Sequence, residues 1–195
     1  MATKKKAVRR KPASRTKKAR RAPRPKAISQ EAMMEKWQAA MTPSDGHRRL
    51  EPMAGTFRAK TTFVMSPGET PQTSDGTSVH RFVVGGRYLE QVYKGTSMGM
   101  PFEGIGYTGY DNVRKRYVGT WMDSFSTGLL HSFGVGRPTA NKMSFVAEAF
   151  DPSGKKMAFE TILRVADNDH HSYEMWTKAP NGKKFRTMIV EYTRA

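Results

Sequence analysis

The chain has no cysteine among its 195 residues. That excludes disulfides, thiol nucleophiles and thiolate metal sites, and it fits a reducing, cytoplasmic setting. No apolar run approaches the ~20 residues needed to span a bilayer. Nothing like the apolar core of a secretory signal follows the basic start. Arg9-Arg10 and Arg20-Arg21 lack the apolar stretch of a twin-arginine signal, since Ala22-Pro23-Arg24-Pro25 follows the second pair. Activated-serine contexts are missing too: Ser124, Ser126 and Thr127 lie near Asp123 and His131 without a G-x-S-x-G elbow. Acidic residues are absent from the first 27 positions, which hold thirteen Lys/Arg between Lys4 and Lys26.

What is present divides by charge. The formal net charge is +17, but beyond residue 27 the remaining 21 of 34 basic residues face all 17 acidic ones, a balance of +4. Residues 1–27 repel themselves and have little to bury, which predicts a disordered basic tail. Such a tail neutralises phosphates without reading sequence, so nucleic acid is one candidate partner. It has no aromatic side chains for stacking, which argues against sequence-specific recognition of single strands. Residues 28–52 read as a short helical segment. Ser29 is placed as an N-cap with Glu31 in the first turn, and Met33, Met34, Trp37 and Met41 fall at helical spacing over 30–41. Thr42-Pro43 then suggests a second short helix that Pro52 stops.

From Gly55 the period changes to two. Strands are predicted over 56–65, 79–84, 87–94, 102–110, 116–123, 129–135, 142–150, 156–165, 171–177 and 184–193, separated by turn chemistry such as Asp75-Gly76, Gly85-Gly86 and Pro180-Asn181-Gly182. Strands joined by short turns, with no helix between them, predict sequential hairpins. Closure into an up-and-down antiparallel barrel of about ten strands over 53–195 removes both sheet edges.

Two motifs invite sharper readings. Gly104-Ile-Gly106-Tyr-Thr-Gly109 matches G-x-G-x-x-G, but a strand rather than a helix follows, so glycines that bend a barrel wall or admit a close approach explain it better. Asp167-Asn-Asp169-His170-His171 offers metal ligands, yet adjacent strand residues point to opposite faces, which favours a solvated hairpin. His47, His80 and His131 are scattered; an inward imidazole could hold a haem iron, and nothing distinguishes one of them. Along 142–150, Met143, Phe145, Ala147 and Ala149 share one face. Along 157–165, Met157, Phe159, Thr161, Leu163 and Val165 do the same, with Glu160 and Arg164 opposite. The charged face is either a solvated outer wall or a polar lumen.

His47-Arg-Arg-Leu50, Gly55-Thr-Phe57, Gly85-Gly-Arg-Tyr-Leu89, Gly99-Met-Pro-Phe-Glu-Gly104, Gly109-Tyr-Asp-Asn112, Lys115-Arg-Tyr117, Trp121-Met-Asp-Ser124 and Tyr192-Thr-Arg194 occur in order along most of the body. In these strings the chain resembles a bacterial family of unknown function, DUF1579. The resemblance implies a calycin-like barrel related to lipocalins, and no reaction. It also implies that Gly55, Phe57 and Arg194 close the base, with Phe57 replacing the usual Trp.

The expected function is non-enzymatic binding of a small hydrophobic or polar ligand by Arg87, Tyr107, Asp111, Trp121 and Asp123, with no catalytic or metal residues assigned and any cofactor unknown. Arg87 would orient an anionic or carbonyl group, with Trp121 and Tyr107 as flat apolar contacts. Asp123 would orient Arg87 or accept from the ligand; the alternative is a structural Arg87–Asp123 ion pair. Two rival readings are tail-mediated nucleic-acid association and an enzyme using Asp123 or Glu103 as base.

Overall fold

The computed structural model describes residues 28–139 and 141–195; the predicted basic tail lies outside the described residues. Helix α1 (Gln30–Met41) begins at Ser29, whose hydroxyl accepts from the Ala32 amide, as its sequence requires. The second helix is shorter than expected. Thr42 ends α1, its amide and hydroxyl both donating to the Gln38 carbonyl, and Ser44 rather than Thr42 starts α2 (Asp45–Arg48). Pro52 sits inside a following 3-10 turn, Glu51–Met53.

Ten strands follow: β1 (Gly55–Phe63), β2 (Gln72–Val83), β3 (Tyr88–Ser97), β4 (Met100–Asp111), β5 (Arg116–Asp123), β6 (Leu130–Val135), β7 (Lys142–Phe150), β8 (Lys156–Val165), β9 (His170–Lys178) and β10 (Lys184–Arg194). Each pairs antiparallel with the next, and β10 closes on β1 with Phe57 opposite Arg194 and Phe63 opposite Met188, giving a closed barrel. Closure satisfies every edge.

Two boundaries differ most from the sequence reading. Asp75-Gly76 is not a turn but lies within β2, where Gly76 pairs with both Ala59 and Gly95. A Cβ at Gly76 would collide with the Tyr93 phenol, so glycine is needed for that ring to cross the wall. The β3–β4 hairpin is tighter than predicted. Met98 (φ 51°) and Gly99 (φ 76°) form a two-residue turn with both φ positive, which suits the strand twist but puts Met where Asn or Asp is usual.

The alternation of burial settles the faces. Met143, Phe145 and Ala147 are buried, while Val146 and Glu148 are exposed. Charges such as Glu160 and Lys184 pair on the exposed outer wall. One end of the barrel is filled: Leu50 and Met53, from the helical segment, pack with Leu89, Tyr117, Met143, Phe145 and Val165. A second cluster, Phe57, Ala59, Tyr93, Val190 and Tyr192, sits beyond it with Phe102, Trp121, Tyr173 and Met188 against it.

Candidate functional site

The five residues singled out from sequence fall in three places. Arg87 lies in the β2–β3 turn and donates to the carbonyls of Val84 (3.2 Å), Gly85 (3.3 Å) and Met41 (2.5 Å). With Asp111, His47, Tyr110 and Asn112 it lines a cleft of about 230 Å³ between α1 and the filled end. Asp111 is occupied as a turn cap, accepting from the amides of Val113 and Arg114 at 2.9 Å each; the Arg114 amide and its partner bond hold its carboxyl below the usual range. Tyr107 is on the outer wall, donating to Glu90 (3.0 Å), which Arg81 also holds at 2.5 Å. Those bonds, Arg81 first, hold the Glu90 carboxyl down.

Trp121 and Asp123 do meet. The indole N–H donates to Asp123 (2.8 Å), whose other oxygen accepts from the Phe125 amide (3.0 Å). They stand where β5 approaches the open end, across the barrel from the β2–β3 turn. The expected Arg87–Asp123 contact is therefore corrected: the two occupy opposite ends, because Asp123 pairs with Gly104 at the far end of β4, whereas Arg87 precedes β3 beside Gly109. Glu103 faces outward and pairs with Lys94 at 3.2 Å.

The G-x-G-x-x-G string serves Trp121. Gly104 and Gly106 lie on the inner wall opposite Asp123 and Trp121, and their missing side chains leave room for the indole; a Cβ on Gly106 would stand 2.8 Å from Trp121 Cε3. Gly109 does the same for the Tyr88 ring.

Deeper in, a polar chain crosses the second cluster. Gln91 Nε2 donates to Tyr192 Oη (2.8 Å) and Ser78 Oγ (3.2 Å), and Ser78 Oγ lies 2.8 Å from His80 Nε2. His171 stacks on Tyr192 at 4.4 Å and 12°, meets the Phe57 ring edge-on at 4.5 Å, and lies 5.3 Å from His80. His170, the adjacent residue, points outward to Asp167 at 3.0 Å, so the two histidines do face opposite ways. Burial drives the His80 pKa down to about 4, although the Met53 carbonyl works the other way without making a hydrogen bond of acceptable geometry. Burial, then the neighbouring His80, drives His171 down to about 3. Both imidazoles are therefore neutral at pH 7. Burial also raises the Tyr173 phenol to about 12 and raises that of Tyr192 further. Sequence reasoning did not name Ser78 or Gln91, and named His80 only among three undistinguished histidines and Tyr192 only within a family string. The usable signal was period two along β2, where Ser78, His80 and Phe82 share the inward face.

Several inward positions at and beyond this floor are only half-buried: Gln91, Trp121, Phe159, Tyr173, Met175 and Met188. An inward side chain of a closed wall that keeps accessible surface borders unfilled space. The barrel is thus packed by side chains from the helical segment at one end, while towards the other several inward side chains keep partial exposure. Among the described residues no helix is long and apolar enough to cross a membrane, and no group of three or more His, Asp or Glu is placed to hold a metal.

These features define a closed ten-stranded antiparallel barrel with an aromatic-rich interior. The family described as protein of unknown function (DUF1579) matches residues 42–194, and the chain belongs to it. The crystal structure of Rv2717c from M. tuberculosis is similar in fold, with 16% identity and a TM-score of 0.58 over 79% of this chain and 99% of that one. A redesigned β-barrel matches at 17% identity and a TM-score of 0.39, over 77% of this chain and 95% of that one. No curated protein matches.

Proposed function

We propose that the barrel binds one small, largely apolar molecule in its lumen and performs no reaction on it. The observation that carries this reading is the set of inward aromatic and methionine side chains that keep part of their surface exposed. A core residue with nothing to gain from a ligand would be covered by its neighbours, as Leu50 and Met143 are. Trp121 offers a flat face held by its bond to Asp123, and Tyr173 and Phe159 offer further ring surface. Gln91 offers the polar contact, because its carbonyl oxygen makes no hydrogen bond among the described residues while its amide nitrogen makes two. The neutral state of His80 and His171 favours an uncharged polar group on the ligand. Of the five residues expected from sequence, Trp121 and Asp123 belong to this site; Arg87 and Asp111 belong to the outer cleft and Tyr107 to the outer wall. The enzyme reading finds no support, since both Asp123 oxygens are engaged and Glu103 is ion-paired outside. The lack of cysteine accords with a cytoplasmic setting.

The test is native mass spectrometry of protein purified from its own cell, alongside titration with 8-anilinonaphthalene-1-sulfonate. A small molecule that leaves on unfolding, and dye affinity that falls in Trp121→Ala and Gln91→Leu but not in Arg87→Ala, is the expected result. A bare mass together with equal dye affinity in all variants would overturn the proposal.

A further inference from the structure

We propose that the filled end of the barrel docks on an anionic lipid surface, with α1 and two turn tips entering the headgroup region. Helix α1 buries none of its residues, yet it is rich in large apolar ones: Met33 is 43% exposed, Met34 65%, Trp37 60% and Met41 51%. At ~100° per residue these four fall within about 100° of the helix circumference, with Glu31 and Glu35 turned away. The helix is nevertheless held in place. Asn112 Nδ2 donates to the carbonyls of Ala39 (3.1 Å), Ala40 (3.3 Å) and Thr42 (2.7 Å), and Arg87 donates to that of Met41.

The same two turns that anchor α1 carry the other exposed apolar tips of this end. Val84, 65% exposed, precedes Arg87 in one turn, and Val113, 75% exposed, follows Asn112 in the other. Three separate stretches of chain thus present apolar side chains to solvent at one end. Loose single exposures are ordinary, but a grouping of this kind marks an interaction surface. Exposed Arg49 and Lys115 lie at the same end. The 27 residues that lead into Ile28, itself 51% exposed, carry thirteen cations and no anion.

The charge selects the partner's sign, and the side chains select its kind. A phosphate backbone would use the cations, but Trp37, Met34, Val84 and Val113 gain nothing from it. A bilayer interface uses both, because amphipathic helices bind by apolar burial plus attraction to anionic headgroups, and Trp suits that depth. A second copy of the chain is disfavoured, because each copy brings a net charge of +17.

The experiment is co-sedimentation of the full chain with vesicles of phosphatidylcholine, with and without phosphatidylglycerol, at physiological salt. Binding is expected only with phosphatidylglycerol. The variant Trp37→Glu with Val113→Asp should bind about tenfold more weakly at an unchanged melting temperature, since both sites are exposed. Equal binding by that variant would reduce the contact to the cationic tail and overturn the docking surface. So would failure to bind vesicles while duplex DNA is retained at the same salt. A wild-type dimer that Trp37→Glu converts to monomer would instead assign the face to a second copy.

Discussion

The Arg194 guanidinium lies 4.7 Å from the centre of the Phe57 ring, the residue it faces across the β1–β10 seam. Its nitrogens donate to the carbonyls of Ala54 and Pro52 at 3.0 Å each and of Asn168 at 2.9 Å. It therefore ties the seam to the segment that plugs the barrel and to the β8–β9 turn. Gly55, at φ 142°, leaves the space that the guanidinium fills. We propose a structural role at the base for these three residues.

Phe57 is fully buried, so Phe57→Ala should cost about 3–5 kcal/mol of stability. Arg194→Met keeps much of the apolar stem and removes the donors, and should cost about 1–3 kcal/mol because the carbonyls lose their partner. The ion pair with Asp169 is too exposed to add much. Urea midpoints measure both. An Arg194→Met protein as stable as the parent would remove the keystone role.

Stability should fall as the medium is acidified below pH 6.5. His80 and His171 have folded pKa values of about 4 and about 3, below the ordinary 6.5. Above pH 6.5 both states hold them neutral. Below it the unfolded chain takes up protons that the folded chain refuses, so stability drains away until the pH reaches the folded values. Between pH 7 and 5 the loss should be roughly 2 kcal/mol per imidazole. His47, also lowered by burial, acts in the same direction. Urea midpoints at the two pH values should show a steep dependence that His171→Phe flattens; an unchanged dependence in that variant would place the titrating group elsewhere.

Regular alternation made much of the wall readable. Strands 116–123, 142–150 and 156–165 were legible to the residue, because Met143, Phe145 and Ala147 answer Met157, Phe159 and Thr161 in the same period. The first seven residues of β2 were not, since Gln72 to Ser78 carry no large apolar side chain and include an Asp-Gly pair. The lumen floor was legible only in part: Ser78 lies in the missed start of β2, while His80 and Gln91 fall inside predicted strands but are polar, and apolar periodicity alone does not mark polar residues as inward. Arg87 and Asp123 were grouped because both sit in family strings. Which end of the barrel a string occupies depends on strand direction and register, and a list of motifs does not contain that.

Gly106→Ala should disturb the lumen more than its size suggests. Its Cβ would meet Trp121 Cε3 at 2.8 Å and the Thr120 carbonyl at 2.9 Å. The backbone contact cannot rotate away, so the indole or the strand must shift. A cost of about 1–3 kcal/mol is expected, with a changed Trp121 emission as its bond to Asp123 is strained. Unaltered melting and emission would mean that the indole does not rest on the glycine wall.

The attachment of α1 rests mainly on Asn112, with Arg87 adding a single bond to the Met41 carbonyl. Asn112 is buried, spends its amide nitrogen on three carbonyls at the end of α1, and accepts from Ser44 Oγ at 2.6 Å. No other residue type offers a donor and an acceptor in that arrangement at that length. Asn112→Asp replaces the donor with a carboxylate facing those carbonyls, and Asn112→Ala leaves them without a partner. α1 buries no side chain that would hold it in their place. Both variants should release the helix while the strands stay paired. Limited proteolysis should then cut near residues 36–42 well before the barrel, the far-ultraviolet helical signal should fall, and the β signal should persist. The aspartate should be the worse of the two, because it adds repulsion to the lost bonds. Should Asn112→Asp resist protease as well as the parent does, α1 must be held by contacts other than this amide.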